Sequence, residues 1–148
     1  AEKQKLKIMY GILEKQCRKY YEIATSNPTA TGEAMLSLFE RRLDNVVYRL
    51  RLAPTRAAAR QIVSHGNTLV NGRKLSIPSY QVKVGDVVTL TPTGLAIPAV
   101  KALQDDKEVV IPVWLEKKAT VGKVNRLPAR TDIVEAINEQ LIVEFYSR

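Results

Sequence analysis

The chain has 148 residues, 45% of them apolar, with a formal net charge of +8 and an isoelectric point near 9.7. That is enough apolar side chain for one ordinary domain or two small ones, and the charge makes a polyanion the expected partner. No apolar run approaches the roughly 20 residues of a membrane-spanning helix, the N-terminus lacks a secretory core, and one cysteine excludes an internal disulfide, so a reducing cytoplasmic setting fits.

The charge is local. Residues 41–74 carry eight bases against one acid, Asp44, whereas residues 1–40 carry six against five and residues 75–148 nine against nine. A basic cluster of this kind points to a defined nucleic-acid face rather than loose surface adhesion.

The chain begins with Ala rather than Met, which points to processing or trimming. Over residues 3–24, Leu6, Met9, Tyr10, Leu13, Cys17, Tyr20, Tyr21 and Ala24 follow helical spacing, with an interruption at Gly11. Lys3, Lys7, Lys15 and Arg18 on this segment are either phosphate contacts or a solvated face balanced by Glu2, Glu14 and Glu22. Cys17 lies on the apolar stripe and reads as a core residue. Ser26-Asn27-Pro28-Thr29 reads as a turn, and Thr31 as the cap of a helix over 32–40.

The basic stretch predicts two short helices and a hairpin. Leu43, Val46, Val47 and Leu50 form one buried face, leaving Arg42, Asn45 and Arg49 on another. After Ala53-Pro54, Thr55 caps a helix that runs to about Ser64, with Gly66 beyond its end and Ala58, Ala59, Ile62 and Val63 inward. Arg56 and Arg60, one turn apart, project from the same side and can engage successive phosphates. Asn71-Gly72 is a hairpin signal, since a type I′ turn needs positive φ at both central residues, and Arg73 and Lys74 leave that turn directly.

RLDNVVYRL, TRAAARQIVSHG, LVNGR and IPSYQVKVGD, in this order, resemble the RNA-binding module named after ribosomal protein four of the small subunit. EKQKLKIMYG before it and INEQLIVEFYSR at the end resemble members of the small-subunit ribosomal protein four family itself, of bacterial or organellar type. Family members typically have a further N-terminal segment, sometimes with zinc-binding cysteines, that this sequence does not contain. Two positions depart from the family pattern. Arg51 stands where glycine usually follows YRL, and Asn67 where a second histidine or a similar residue often follows His65-Gly66. A non-glycine residue in left-handed geometry costs on the order of 1 kcal/mol, so at Arg51 either the turn differs or the cost is tolerated.

The resemblance implies RNA contacts from Arg42, Thr55, Arg56, Arg60, Gln61, His65, Asn71, Gly72 and Arg73, to which the basic face adds Arg49 and Lys74. Phosphate contact suits arginine, lysine, backbone N–H groups and small hydroxyls, and an exposed glycine turn lets a sugar-phosphate backbone approach closely. Several residues keep a second reading. Arg42 can pair with Asp44 or Glu40, His65 and Thr55 can serve as helix caps, and Asn71 can serve only the turn.

Beyond the hairpin, Ile77-Pro78-Ser79-Tyr80 reads as a loop, and Val82 to Leu90 as extended segments around the Gly85-Asp86 turn. A break at Thr91-Pro92-Thr93-Gly94 precedes an expected helix near 95–104 and strands near 109–115 and 120–124. Trp114 reads either as a buried strand residue or as a base-stacking platform. Lys117, Lys118, Lys123, Arg126 and Arg130 form a secondary basic run. Ile133, Val134, Ile137, Leu141 and Phe145 predict a C-terminal helix, which by the resemblance returns to the N-terminal helices.

The expected fold is therefore α+β, with a helical domain over 1–41 completed by 131–148. Into it is inserted an RNA-binding module over 42–130, with its helix-helix-hairpin core at 42–90, a small antiparallel sheet and a β extension. One histidine, one cysteine, no glycine-rich phosphate loop and no metal-spaced ligands argue against an enzyme, and Asp105-Asp106 sit in a polar turn with Lys107. No catalytic residue, cofactor or metal is expected. The resemblance implies a structural constituent of the small ribosomal subunit, in cytoplasmic or organellar ribosomes, that binds small-subunit ribosomal RNA, nucleates assembly and contributes to translational accuracy. It further implies contact with ribosomal protein five of the small subunit and with messenger RNA, while the apolar pattern gives no membrane partner. A free-standing regulatory RNA-binding factor and an accessory domain of an RNA-modifying enzyme are the alternatives.

Overall fold

The spacing at the N-terminus becomes two helices, α1 (Glu2–Tyr10) and α2 (Glu14–Ala24), because Gly11 between them adopts φ 66°, a left-handed geometry that glycine enters without steric cost. The computed structural model describes residues 2–27, 30–106, 110–133, 135 and 137–147. Expectations that fall on Pro28, Thr29, Lys107, Val109 and Val134 lie outside these. The chain divides into two compact units, one of residues 1–40 with 128–148 and one of residues 41–127.

In the first unit, α1 and α2 bury Leu6, Tyr10, Cys17, Tyr20 and Ala24 against α3 (Thr31–Glu40), with the Phe39 ring 5.2 Å from those of both Tyr10 and Tyr20. Burial raises the Cys17 thiol above its ordinary pKa, as a core residue requires. Thr31 does not cap α3 as expected. It is the first residue of that helix, and its hydroxyl donates to the Asn27 carbonyl at 2.9 Å.

The C-terminal helix also starts later than its spacing predicts. Ile133 is extended (φ −97°, ψ 104°) after a 3-10 turn at Arg130–Asp132, and α8 spans only Glu139–Tyr146. The Arg130 guanidinium explains this, since it donates to the carbonyls of Ile133 (2.8 Å) and Ile137 (3.1 Å) that a continuous helix would give to amides four residues on. Asn138 then caps α8, its side chain accepting from the Leu141 N–H at 3.4 Å. The register shift buries Ile142 and leaves Leu141 and Phe145 50% and 42% exposed.

The second unit packs α4 (Leu43–Arg49) and α5 (Arg56–Ser64) with an antiparallel sheet of β1 (Thr68–Val70), β2 (Arg73–Lys74), β3 (Val87–Leu90), β4 (Leu115–Lys118) and β5 (Val121–Val124). The strand order is β2-β1-β3-β5-β4. Thr55 caps α5 by accepting the Ala58 N–H at 3.0 Å. Gly66, at φ 75°, closes the helix with Schellman bonds, from the Asn67 N–H to the Ile62 carbonyl and from the Gly66 N–H to the Val63 carbonyl.

The segment expected as one helix near 95–104 is two, α6 (Pro92–Leu95) and α7 (Pro98–Gln104), because Thr91 caps the first and Pro98 opens the second. The strand expected near 109–115 is displaced to β4, since Pro112 has no N–H to pair and its carbonyl instead closes a turn with the Leu115 N–H at 3.0 Å. Trp114, just before β4, is wholly buried and so presents no stacking face. Gly122 of β5 packs directly against the Leu50 side chain. A Cβ there would stand 2.6 Å from Leu50 Cδ2, which lies at the end of α4.

Candidate nucleic-acid interface

The basic stretch does not act as a single block of charge, because each arginine has its own surroundings. Arg42 is 3% exposed and forks onto Asp44, Nε to Oδ1 and Nη2 to Oδ2, both at 3.1 Å. Of its two readings, the structure shows the ion pair and turns the guanidinium away from the surface. Arg41 is also engaged locally, with Nε donating to the Val82 carbonyl at 3.1 Å, and burial holds its pKa below the usual arginine range.

Three other arginines gather around one aromatic ring. Arg56, Arg51 and Arg49 lie 4.6, 5.2 and 5.9 Å from the centroid of Tyr48, on α4. Arg56 Nε also donates to Asn45 Oδ1 at 2.8 Å, which with the ring face fixes the plane of its guanidinium. Arg51 adopts φ 55°, so the left-handed cost is tolerated here and the side chain is directed over Tyr48. Asn45 and Tyr48 are the positioning residues that the sequence reading missed. Their signal was the three-residue step between them on α4.

On α5, Ala59, Ile62 and Val63 face the core, while Arg60, Gln61 and Ser64 are exposed and Arg56 is half-buried. Arg56 and Arg60 thus share the solvent-facing side at i, i+4. His65, the C-cap residue, is exposed, and its backbone N–H bonds to the Gln61 carbonyl, so the capping role needs only its main chain.

The hairpin has Asn71 at φ 54° and Gly72 at φ 81° between paired Val70 and Arg73, as a type I′ turn requires. Asn71 does more than turn the chain. Its Nδ2 donates to Asp86 Oδ1 at 3.0 Å and its Oδ1 accepts the Val87 N–H at 2.9 Å. Asp86 also accepts from the Tyr80 hydroxyl and the Lys83 N–H, each at 2.9 Å. Burial pushes the Asp86 carboxyl up, but these donors outweigh it and hold its pKa below the usual carboxylate value. The hub pins the Asn71-Gly72 turn to the start of β3, which leaves Gly72, Arg73 and Lys74 exposed on a rigid support.

The secondary basic run is dispersed. Arg130 pairs with Glu139 at 2.9 Å in the first unit, Lys118 and Lys123 are exposed, and Lys117 is half-buried beside Gln104. Among the described residues no group of three or more His, Cys, Asp or Glu is placed to hold a metal, and no helix is long and apolar enough to cross a membrane.

Comparison with known proteins places these features in a family. Residues 41–88 match the S4 domain, and residues 1–40 match the ribosomal protein S4/S9 N-terminal domain. The small ribosomal subunit protein uS4 of Dictyoglomus turgidum is 53% identical over 149 residues, covering 99% of this chain and 72% of that protein. Those of Chloroflexus aurantiacus and Akkermansia muciniphila are 52% and 48% identical, covering 99% and 100% of this chain and 74% of each relative. With likeness of this degree along its whole length, the chain belongs to the uS4 family of small ribosomal subunit proteins.

Proposed function

We propose that this chain, as a structural constituent of the small ribosomal subunit, binds small-subunit ribosomal RNA directly through its second unit. The observation that carries the reading is the concentration of charge. Residues 41–127 hold fifteen bases against six acids, while the rest of the chain holds eight against nine. The contacts are Arg49, Arg56 and Arg60 of α4 and α5, with Thr55, Gln61 and His65 beside them, and Gly72, Arg73 and Lys74 of the hairpin. Arg42 supports this surface from within through Asp44, and the exposed Asn71 fixes the turn through Asp86. Phosphates are neutralised by the arginines, and recognition comes from the shape of folded RNA more than from base edges. Early nucleation of subunit assembly, a contribution to decoding accuracy, contact with ribosomal protein five and with messenger RNA, and residence in cytoplasmic or organellar ribosomes belong to the same reading, supported by family membership.

A salt titration of binding to small-subunit ribosomal RNA tests it. Each phosphate neutralised contributes about 0.7 to 0.9 to the slope of log affinity against log salt, so replacing Arg56 and Arg60 together by Gln should flatten the slope by roughly 1.4 to 1.8. An unchanged slope would remove both residues from the interface. Loss of the protein from small subunits sedimented at high salt would instead favour a free-standing regulatory factor.

A further inference from the structure

We infer that Arg51 and Lys117 form a second phosphate-binding point for the bound RNA, assembled from the end of α4 and strand β4. The inference rests on the ribosomal RNA reading above. Lys117 lies outside both family-matched segments, 1–40 and 41–88.

The sheet register brings Lys117 to the end of α4, where Arg51 lies. Lys117 pairs with Gly122 across β4 and β5, and cross-strand partners point to the same face. Gly122 is the residue with no room for a Cβ because Leu50 lies against it, so that face meets the end of α4, where Arg51 follows Leu50.

Gln104 fixes the arrangement. Its amide nitrogen donates to the carbonyls of Arg51 (2.9 Å) and Val100 (3.1 Å), and two carbonyl acceptors admit only the NH₂ end there. Its Oε1 is thereby directed at Lys117 Nζ, 2.7 Å away. Arg51 is braced from the other side by the Tyr48 ring, 5.2 Å from its guanidinium carbon.

Gln104 thus joins the Arg51 main chain to the Lys117 ammonium, and both cations have neutral supports. Among the described residues neither Arg51 nor Lys117 has a carboxylate partner; their contacts are a ring face, a backbone carbonyl interaction and an amide oxygen. Burial, and then the neighbouring Arg51, hold the Lys117 ammonium below the ordinary lysine pKa, a penalty that an anion between the two would relieve. Arg51 also adopts a backbone geometry that glycine would enter freely, φ 55°. Strain retained at a residue with a directed charge is what a binding point produces. A phosphate oxygen matches both donors, a planar guanidinium fork and a compact ammonium.

The test uses the full chain and transcribed small-subunit ribosomal RNA. Arg51→Gly suits the φ 55° backbone, and Lys117→Gln retains a donor for Gln104, so both variants should fold, as thermal melting will show. Each variant should flatten the salt slope by up to about 0.9, and the double variant by less than the two together, because both cations face one phosphate. Slopes equal to that of the unsubstituted chain, in a series where Arg60→Gln does flatten it, overturn the subsite and leave the RNA reading standing. A shallow slope in the unsubstituted chain itself overturns both. Additive losses in the double variant overturn the shared phosphate.

Discussion

The two units hold comparable numbers of ionisable side chains but balance them differently. In residues 1–40 with 128–148, where acids outnumber bases nine to eight, cations meet carboxylates: Lys3 and Lys7 lie 3.1 and 3.2 Å from Glu14, and Arg130 lies 2.9 Å from Glu139. In residues 41–127, where bases outnumber acids fifteen to six, the supports are different. Arg56 rests on an amide oxygen and a ring, Arg51 on the same ring, and Lys117 on an amide oxygen. A carboxylate orients a cation and cancels it. A carbonyl oxygen or a ring face orients it and leaves its charge in the field, which is what a surface for a polyanion requires.

Arg42, which does meet a carboxylate, allows the contrast to be broken. Asp44→Ala removes the carboxylate that forks a guanidinium only 3% exposed, and should cost about 3–5 kcal/mol in denaturant unfolding. A loss below about 1 kcal/mol would mean that Arg42 has access to solvent or to ligand. Gly122→Ala forces a Cβ into Leu50 and should cost about 1–3 kcal/mol, displacing α4 from β5. The same variant should weaken RNA binding if the end of α4 is part of the interface.

Asp86→Asn should cost about 1–3 kcal/mol by disturbing the donors from Asn71, Tyr80 and Lys83. The sign of its pH dependence follows from the lowered folded pKa. The stabilisation is fully present above the ordinary carboxylate value, near pH 4, and is lost as pH falls through the folded value, so the variant should show a shallower acid destabilisation below about pH 4. An identical acid profile would contradict the hub. The smallest effect belongs to the first unit. Lys15 and Lys19 are exposed, and replacing both by Gln should shift stability by less than about 0.5 kcal/mol and leave the RNA salt slope unchanged. A flattened slope would extend the interface to the helical unit and erase the contrast.

Local rules made much of this legible. Gly11, Thr55, Gly66 and Asn71-Gly72 act within a few residues of themselves, through φ preference and short side-chain bonds, and each occupies the structural role its type predicts. Apart from Thr31, the departures came where a distant or proline-bearing partner intervened. The C-terminal apolar spacing was helical from Ile133, but Arg130 captured the carbonyls that a helix would have used. The strand expected at 109–115 gave way at Pro112, which has no N–H to offer a ladder.

By itself, then, the sequence determined that the protein is α+β, that its positive charge lies in one stretch, and that two helices and an Asn-Gly hairpin carry it, because propensity, periodicity and turn chemistry are local. The tertiary structure alone decided which cations that stretch displays. Arg42 faces Asp44, Arg56 is fixed by Asn45 and Tyr48, and Lys117 is brought to the end of α4 through strand register. Charge depends on residue type, but its availability depends on what lies across from it. That is set by packing between segments far apart in the chain.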